Sequence, residues 1–139
     1  MAENTNYLDD LTLLQANYKD YPTEPSKEIL EAFNNQHPNN DYWITFNCPE
    51  FTSLCPVTSQ PDFGEITIKY RPAEKCVESK SLKLYLFAYR NHNAFHEAVT
   101  NMILDDLVEL LAPREMVVIG NFRPRGGISL DIEARHVAK

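Results

Sequence analysis

"EMVVIGNFRPRGGISLDIEARH", residues 115–136, decides the fold. Residues 115–122 and 127–136 are rich in apolar and β-branched residues and read as two strands. "RPRGG" (123–127) lies between them, and its glycines take the backbone angles a tight turn needs. The stretch is therefore a hairpin. Upstream, "NAFHEAVTNMILDDLVELL" (93–111) predicts a helix with Asn93 as N-cap. Its stripe is Phe95, Val99, Met102, Ile103, Leu107 and Leu110, and Pro113 ends it. Residues 79–90 place Leu82, Leu86 and Tyr89 at helical spacing, with Tyr85 beside them. "GEITIKYRP" (64–72) alternates Ile66, Ile68 and Tyr70 with polar residues, which predicts a half-buried strand. "DYWITFNC" (41–48) predicts another, and the Pro-studded segment 48–63 a loop between the two.

The element order is β-β-α-α-β-β. Two hairpins joined by a helical pair predict an α+β domain, a four-stranded antiparallel sheet with both helices on one face. The open edges of so small a sheet point to coverage by neighbouring subunits in an oligomeric barrel. The expected division is an N-terminal arm, 1–40, and one catalytic domain, 41–139. The arm is polar and irregular, with a short helix expected around Glu28–Phe33.

The chain has 139 residues, 43% of them hydrophobic, enough for a real core. Its net charge of −7 offers phosphates no general basic field, which argues against a nucleic-acid or membrane-surface binder. No apolar run approaches a membrane span, and "MAENTNYLDDLTLLQ" lacks the marks of a signal peptide. Three cysteines without framework spacing predict free thiols and a cytoplasmic protein.

Cys55 stands out because its loop is crowded with Thr52, Ser53, Thr58 and Ser59, and Asp62 follows seven residues later. A thiol there is either a small hydrophobe or a nucleophile, with Asp62 folding back to donate or accept a proton. A metal site of Cys55, His92 and His96 is a weaker reading, and Cys48 and Cys76 read as structural. His96 and Glu97 fall in the first turn of the second helix. They either decorate a helix start or present an ionised carboxylate to two parallel N–H donors, as on a guanine-like edge. Lys80 and Lys83, three apart near the first helix start, are either a solvated face or a phosphate site. Arg123 and Arg125 offer a second basic element. Neither a Rossmann glycine fingerprint nor a Walker loop is present.

"FNCPEFTSLCPVTSQPDFGEITIKY", "VESKSLKLYLFAYRNHNAFHE" and "PRGGIS" together resemble the NADPH-dependent 7-cyano-7-deazaguanine reductases, the nitrile reductases of queuosine biosynthesis, in their short single-module form. The match runs from about residue 41 to 132. The resemblance implies the tunnelling fold, with subunits side by side in a barrel ring and two stacked rings, a homodecamer of two pentamers. It implies Cys55 as nucleophile, Asp62 as proton donor and His96 as a further donor. Val77, Glu78, Ser79, His96 and Glu97 would hold the substrate, and Lys80, Lys83 and Arg125 the NADPH; no metal is implied. The implied reaction is four-electron reduction of the nitrile to the aminomethyl product through a covalent Cys55 thioimide. Two other readings are a zinc-dependent pterin or purine hydrolase of the same fold, which needs a metal cluster, and a non-catalytic binding protein.

Overall fold

The structure is a computed structural model and describes residues 21–139. The first half of the expected arm, including the segment examined for a signal peptide, lies outside the described residues. Four strands come first: β1 (Ala32–Asn34), β2 (Ile44–Leu54), β3 (Pro61–Arg71) and β4 (Lys75–Val77). Helices α1 (Ser79–Phe87) and α2 (His96–Leu111) follow, then β5 (Glu115–Arg125) and β6 (Ile128–Val137). The long strands form one antiparallel sheet in the order β2-β3-β5-β6, and β1 and β4 form a small separate ribbon. The expected α+β core is present, with the ribbon as an addition.

The 115–136 hairpin closes on Gly126 and Gly127, both at positive φ (60° and 81°), between paired Arg125 and Ile128. That two-residue turn matches the twist of the strands. Cross-strand rows carry the core. Phe46, Ile68, Val118 and Ala134 lie abreast, as do Ile44, Tyr70, Met116 and His136. Helix α2 covers β5 and β6 with Val99, Ile103 and Leu107, all fully buried. Each such side chain contributes roughly 1.5–3 kcal/mol by leaving water. The other face of the sheet carries Glu65, Lys69, Glu133 and Arg135, exposed or half-buried.

Gly120 sets the height of α2 above the sheet. A Cβ there would stand 2.7 Å from both Thr100 Oγ1 on α2 and Phe122 Cε2. Only glycine permits that approach.

Four expectations change. The loop 48–63 is mostly strand, and only residues 55–60 remain outside β2 and β3. The prolines mislead because β2 is an edge strand. Pro49 sits where the register slips between Cys48 and Phe51, and Pro61 opens β3, both places where a missing N–H is tolerated. The short helix near residue 28 is one 3-10 turn, Lys27–Ile29, after which the chain extends as β1. Helix α2 begins at His96 with Phe95 as a cap lacking a side-chain bond, so Asn93 is not its cap. Asn93 instead bridges to Leu54 as a short parallel strand contact. Phe95 is 59% exposed, and the buried stripe turns to Val99, Thr100, Ile103, Leu104, Leu107 and Leu111.

Candidate active site

The pairing of β2 with β3 runs to Leu54 opposite Pro61. Beyond it, the Cys55 N–H donates to the Gln60 carbonyl (2.9 Å), and the Ser59 N–H donates to the Cys55 carbonyl (2.8 Å). The turn is closed by Ser59 at φ 58°, a left-handed conformation. The half-buried thiol of Cys55 thus heads a tight turn whose backbone N–H groups point back at it. The Thr58 hydroxyl, then the N–H groups of Thr58 and Val57, and finally Arg125 favour the thiolate and bring its pKa to about 7. Cys48 shows the opposite case, where burial pushes the thiol up.

Asp62 stands opposite Ser53 and is 4% exposed. Its Oδ1 accepts from Arg125 Nη1 at 2.5 Å, and Arg125 Nη2 reaches Gln60 Oε1 at 3.3 Å. His96 Nε2 lies 3.0 Å from Asp62 Oδ2. The approach is off the direction in which a ring N–H donates, so the contact does not meet the geometry of a hydrogen bond. The imidazole stacks flat on Phe122, with centroids 3.9 Å apart and planes within 4°. The Ser53 hydroxyl is fully buried and has no hydrogen-bond partner among the described residues. Buried polar groups are normally paired, so two spare positions beside one carboxylate mark a site built for another molecule.

Backbone bonds bring α2 here. The Leu54 N–H donates to the His92 carbonyl and the Ala94 N–H to the Leu54 carbonyl, each at 3.0 Å. This pins the start of α2 to the strand end that carries Cys55. Thr100, under Gly120, donates to the His96 carbonyl at 2.9 Å.

Cys55, Asp62, His96 and Arg125 are thus brought together within one chain. Glu97 follows His96 and is exposed. Val77, Glu78 and Ser79 lie elsewhere, where β4 runs into α1. The Val77 N–H donates to the Tyr70 hydroxyl at 3.0 Å. The Glu78 carboxylate caps α1, accepting from the N–H groups of Lys80 (2.8 Å) and Ser81 (2.7 Å), which hold its pKa below the usual range. Lys80 and Lys83 are exposed on α1. Lys83, Arg90 and Arg123 line one groove between α1 and the edge strand β2. Among the described residues, no hydrogen bond or ion pair links Val77–Ser79 to the Cys55 cluster.

His92 pairs with Glu24 at 3.3 Å while His96 faces Asp62, so the two histidines do not converge on Cys55. Among the described residues, no three His, Cys, Asp or Glu side chains gather as a metal would require. No described helix is long and apolar enough to cross a membrane. Sequence reasoning had placed Arg125 only at the cofactor, and it gave no role to Phe122 or Gly120. Their parts depend on strand register, which no local pattern shows.

A family model described as "QueF-like protein" matches residues 61–139. A Bacteroides thetaiotaomicron protein named NADPH-dependent 7-cyano-7-deazaguanine reductase is 59% identical over 122 residues, 88% of this chain and 80% of that one. A Streptococcus mutans protein of the same name is 62% identical, over 88% of this chain and 75% of its own length. The crystal structure of an archaeosine synthase QueF-Like in the apo form superposes with a TM-score of 0.60. It covers 68% of this chain and 91% of its own at 18% identity, a likeness of fold alone. The chain belongs to the QueF-like family of NADPH-dependent 7-cyano-7-deazaguanine reductases.

Proposed function

We propose that this chain reduces the nitrile of 7-cyano-7-deazaguanine with NADPH, the reaction its relatives are named for and a step of queuosine biosynthesis, with Cys55 as nucleophile and Asp62 as acid. The observation that carries the residue roles is a thiol poised near neutrality next to a buried carboxylate. A nitrile carbon is a poor hydride acceptor, and covalent capture by sulfur changes that. The Cys55 sulfur bonds to the nitrile carbon. One C–N π bond breaks, its electron pair moves to nitrogen, and nitrogen takes the proton of Asp62. The product is a thioimide. Two molecules of NADPH, bound in succession, would each supply one of the two hydrides that take it to the aminomethyl level. His96, 3.0 Å from Asp62, holds or passes protons as the thiol departs.

Glu97 receives the guanine-like edge of the base, and its exposure leaves both oxygens available for a bidentate contact. Val77, Glu78 and Ser79 contact the same substrate from a second copy of the chain, since among the described residues no hydrogen bond or ion pair ties them to the Cys55 cluster. The cofactor falls to Lys80, Lys83 and Arg125. In a chain of net charge −7, the groove lined by Lys83, Arg90 and Arg123 suits its phosphates.

A ring of subunits, stacked as a homodecamer of two pentamers, would bring the two half-sites together. Strands β2 and β6 are both sheet edges, and Ile128 and Val137 on β6 are 74% and 65% exposed. Such edges invite pairing with a neighbour. In this assembly residues 41–139 are the catalytic domain and 1–40 an arm. Leu30 of the arm is buried against the core. Three free thiols fit the reducing cytoplasm.

The test is to mix the protein with 7-cyano-7-deazaguanine, without NADPH, and measure intact mass and peptide maps. An adduct on Cys55, absent from Cys55→Ala, is expected. Wild-type protein that turns over without ever showing an adduct would overturn the nucleophile assignment.

A further inference from the structure

Arg125 is the last residue of β5, where the register slips between Phe122 and Arg125 just ahead of the Gly126–Gly127 turn. Slip and turn together aim its side chain back over the end of β3. One guanidinium nitrogen lies 2.5 Å from Asp62 Oδ1 and a second lies 3.3 Å from Gln60 Oε1, the residue whose carbonyl holds the Cys55 N–H at 2.9 Å, so the cation sits at the turn that carries the thiol and favours its ionised form. A residue that only held a cofactor phosphate would have no need of these two partners.

We propose that Arg125 is a positioning residue of the covalent step: its cation lies between Cys55 and Asp62 and sets the pH range in which the pair shares a single proton. This rests on the nucleophile and acid roles given above. With two protons, the pair has no thiolate to attack. With none, no proton is available for the nitrile nitrogen. Only the singly protonated pair, thiolate with carboxylic acid, forms the sulfur–carbon bond and delivers the proton, and no electrons enter or leave. Adduct formation without NADPH therefore passes through a maximum between two apparent pKa values that belong to the pair.

The groups facing the pair are few. The turn supplies Thr58 and Gln60, both uncharged, and α2 supplies His96. Strand β2 supplies the neutral Ser53 hydroxyl, and β5 supplies Arg125. Arg125 is thus the permanent cation of the set. A fixed positive charge favours the deprotonated form of both groups, so its removal moves both limbs of the profile to higher pH.

The experiment follows the rate of adduct formation with 7-cyano-7-deazaguanine, no NADPH present, from acid to alkaline pH. In Arg125→Gln both limbs should move up by roughly 1 pH unit. Arg125→Lys should restore most of that shift, and Gln60→Ala, which frees one side of the guanidinium, should give a smaller shift of the same sign. If Arg125→Gln folds and keeps both limbs in place, losing only amplitude or only NADPH affinity, the proposal fails. If it does not fold, unmoved limbs in Gln60→Ala overturn it. Absence of any wild-type adduct would sink the parent reading instead. Alkylation of Cys55 against pH would then still decide Arg125, because an unchanged midpoint in Arg125→Gln, or in Gln60→Ala should Arg125→Gln not fold, counts against it.

Discussion

The two ends of this molecule that carry candidate site residues are built on opposite plans. Where β4 enters α1, the Glu78 carboxylate and the Val77 N–H are already engaged: Glu78 caps the helix with both oxygens and the Val77 N–H meets Tyr70. Around Cys55 the polar groups are left with spare capacity. The Ser53 hydroxyl and His96 Nε2 lack hydrogen-bond partners among the described residues, and the thiol is drawn toward its ionised form. The first plan makes a rigid platform, since a satisfied cap has one geometry. The second leaves donors and a nucleophile for something that arrives. Among the described residues the platform and the reactive centre share no hydrogen bond or ion pair, which is what the proposed site between copies requires.

Substitution should separate the two ends. The largest effect is expected from Asp62→Asn, which keeps the shape but supplies no acidic proton. Turnover should fall by about 10²–10⁴-fold, the usual span for a positioned acid, while base binding measured by calorimetry holds. A change below threefold would move the acid elsewhere. Next is the contrast between thiols. Alkylation of Cys55 by iodoacetamide, followed by peptide mapping, should rise with pH through a midpoint near 7, because the thiolate is the reactive form. Cys48 should stay slow until well above that, and equal profiles would mean the turn does nothing for the sulfur. Third is Gly120→Ala, which wedges Thr100 and the His96–Phe122 stack off the sheet. Overpacking of this kind costs about 1–3 kcal/mol, to be read by urea denaturation. A neutral result would show that α2 floats. The smallest is Glu78→Ala. Loss of the cap should cost about 1 kcal/mol of stability, read in the same way, and leave the Cys55 alkylation midpoint in place. A moved midpoint would join the two ends within one chain and break the contrast.

Particular elements show how far local pattern reaches. The alternation of Ile66, Ile68 and Tyr70 and the stripe through Val99, Ile103 and Leu107 placed β3 and α2 on their buried faces, because burial repeats with the period of the element. Segment 48–63 misled because proline was weighed as a breaker, and whether proline breaks a strand depends on whether a neighbour wants its N–H. At an edge and at a register slip, none does. Asn93 misled for a similar reason. It is a fair cap by type, but the backbone on either side of it, the His92 carbonyl and the Ala94 N–H, is bonded to Leu54, so the segment runs as a strand bridge and the helix begins at His96.

The chain's own order of residues determined the succession of the four long strands and two helices and the hairpin on Gly126 and Gly127, and it offered Cys55 and Asp62 as candidate nucleophile and proton donor, since these follow from chemistry within a few residues. Only the tertiary structure decided that Arg125 meets Asp62 across 63 residues, that His96 lies flat on Phe122, and that among the described residues no hydrogen bond or ion pair joins Val77–Ser79 to the Cys55 cluster. Those placements depend on strand register and on how closely a helix rides on a glycine, and register is a property of two strands together that neither one carries alone.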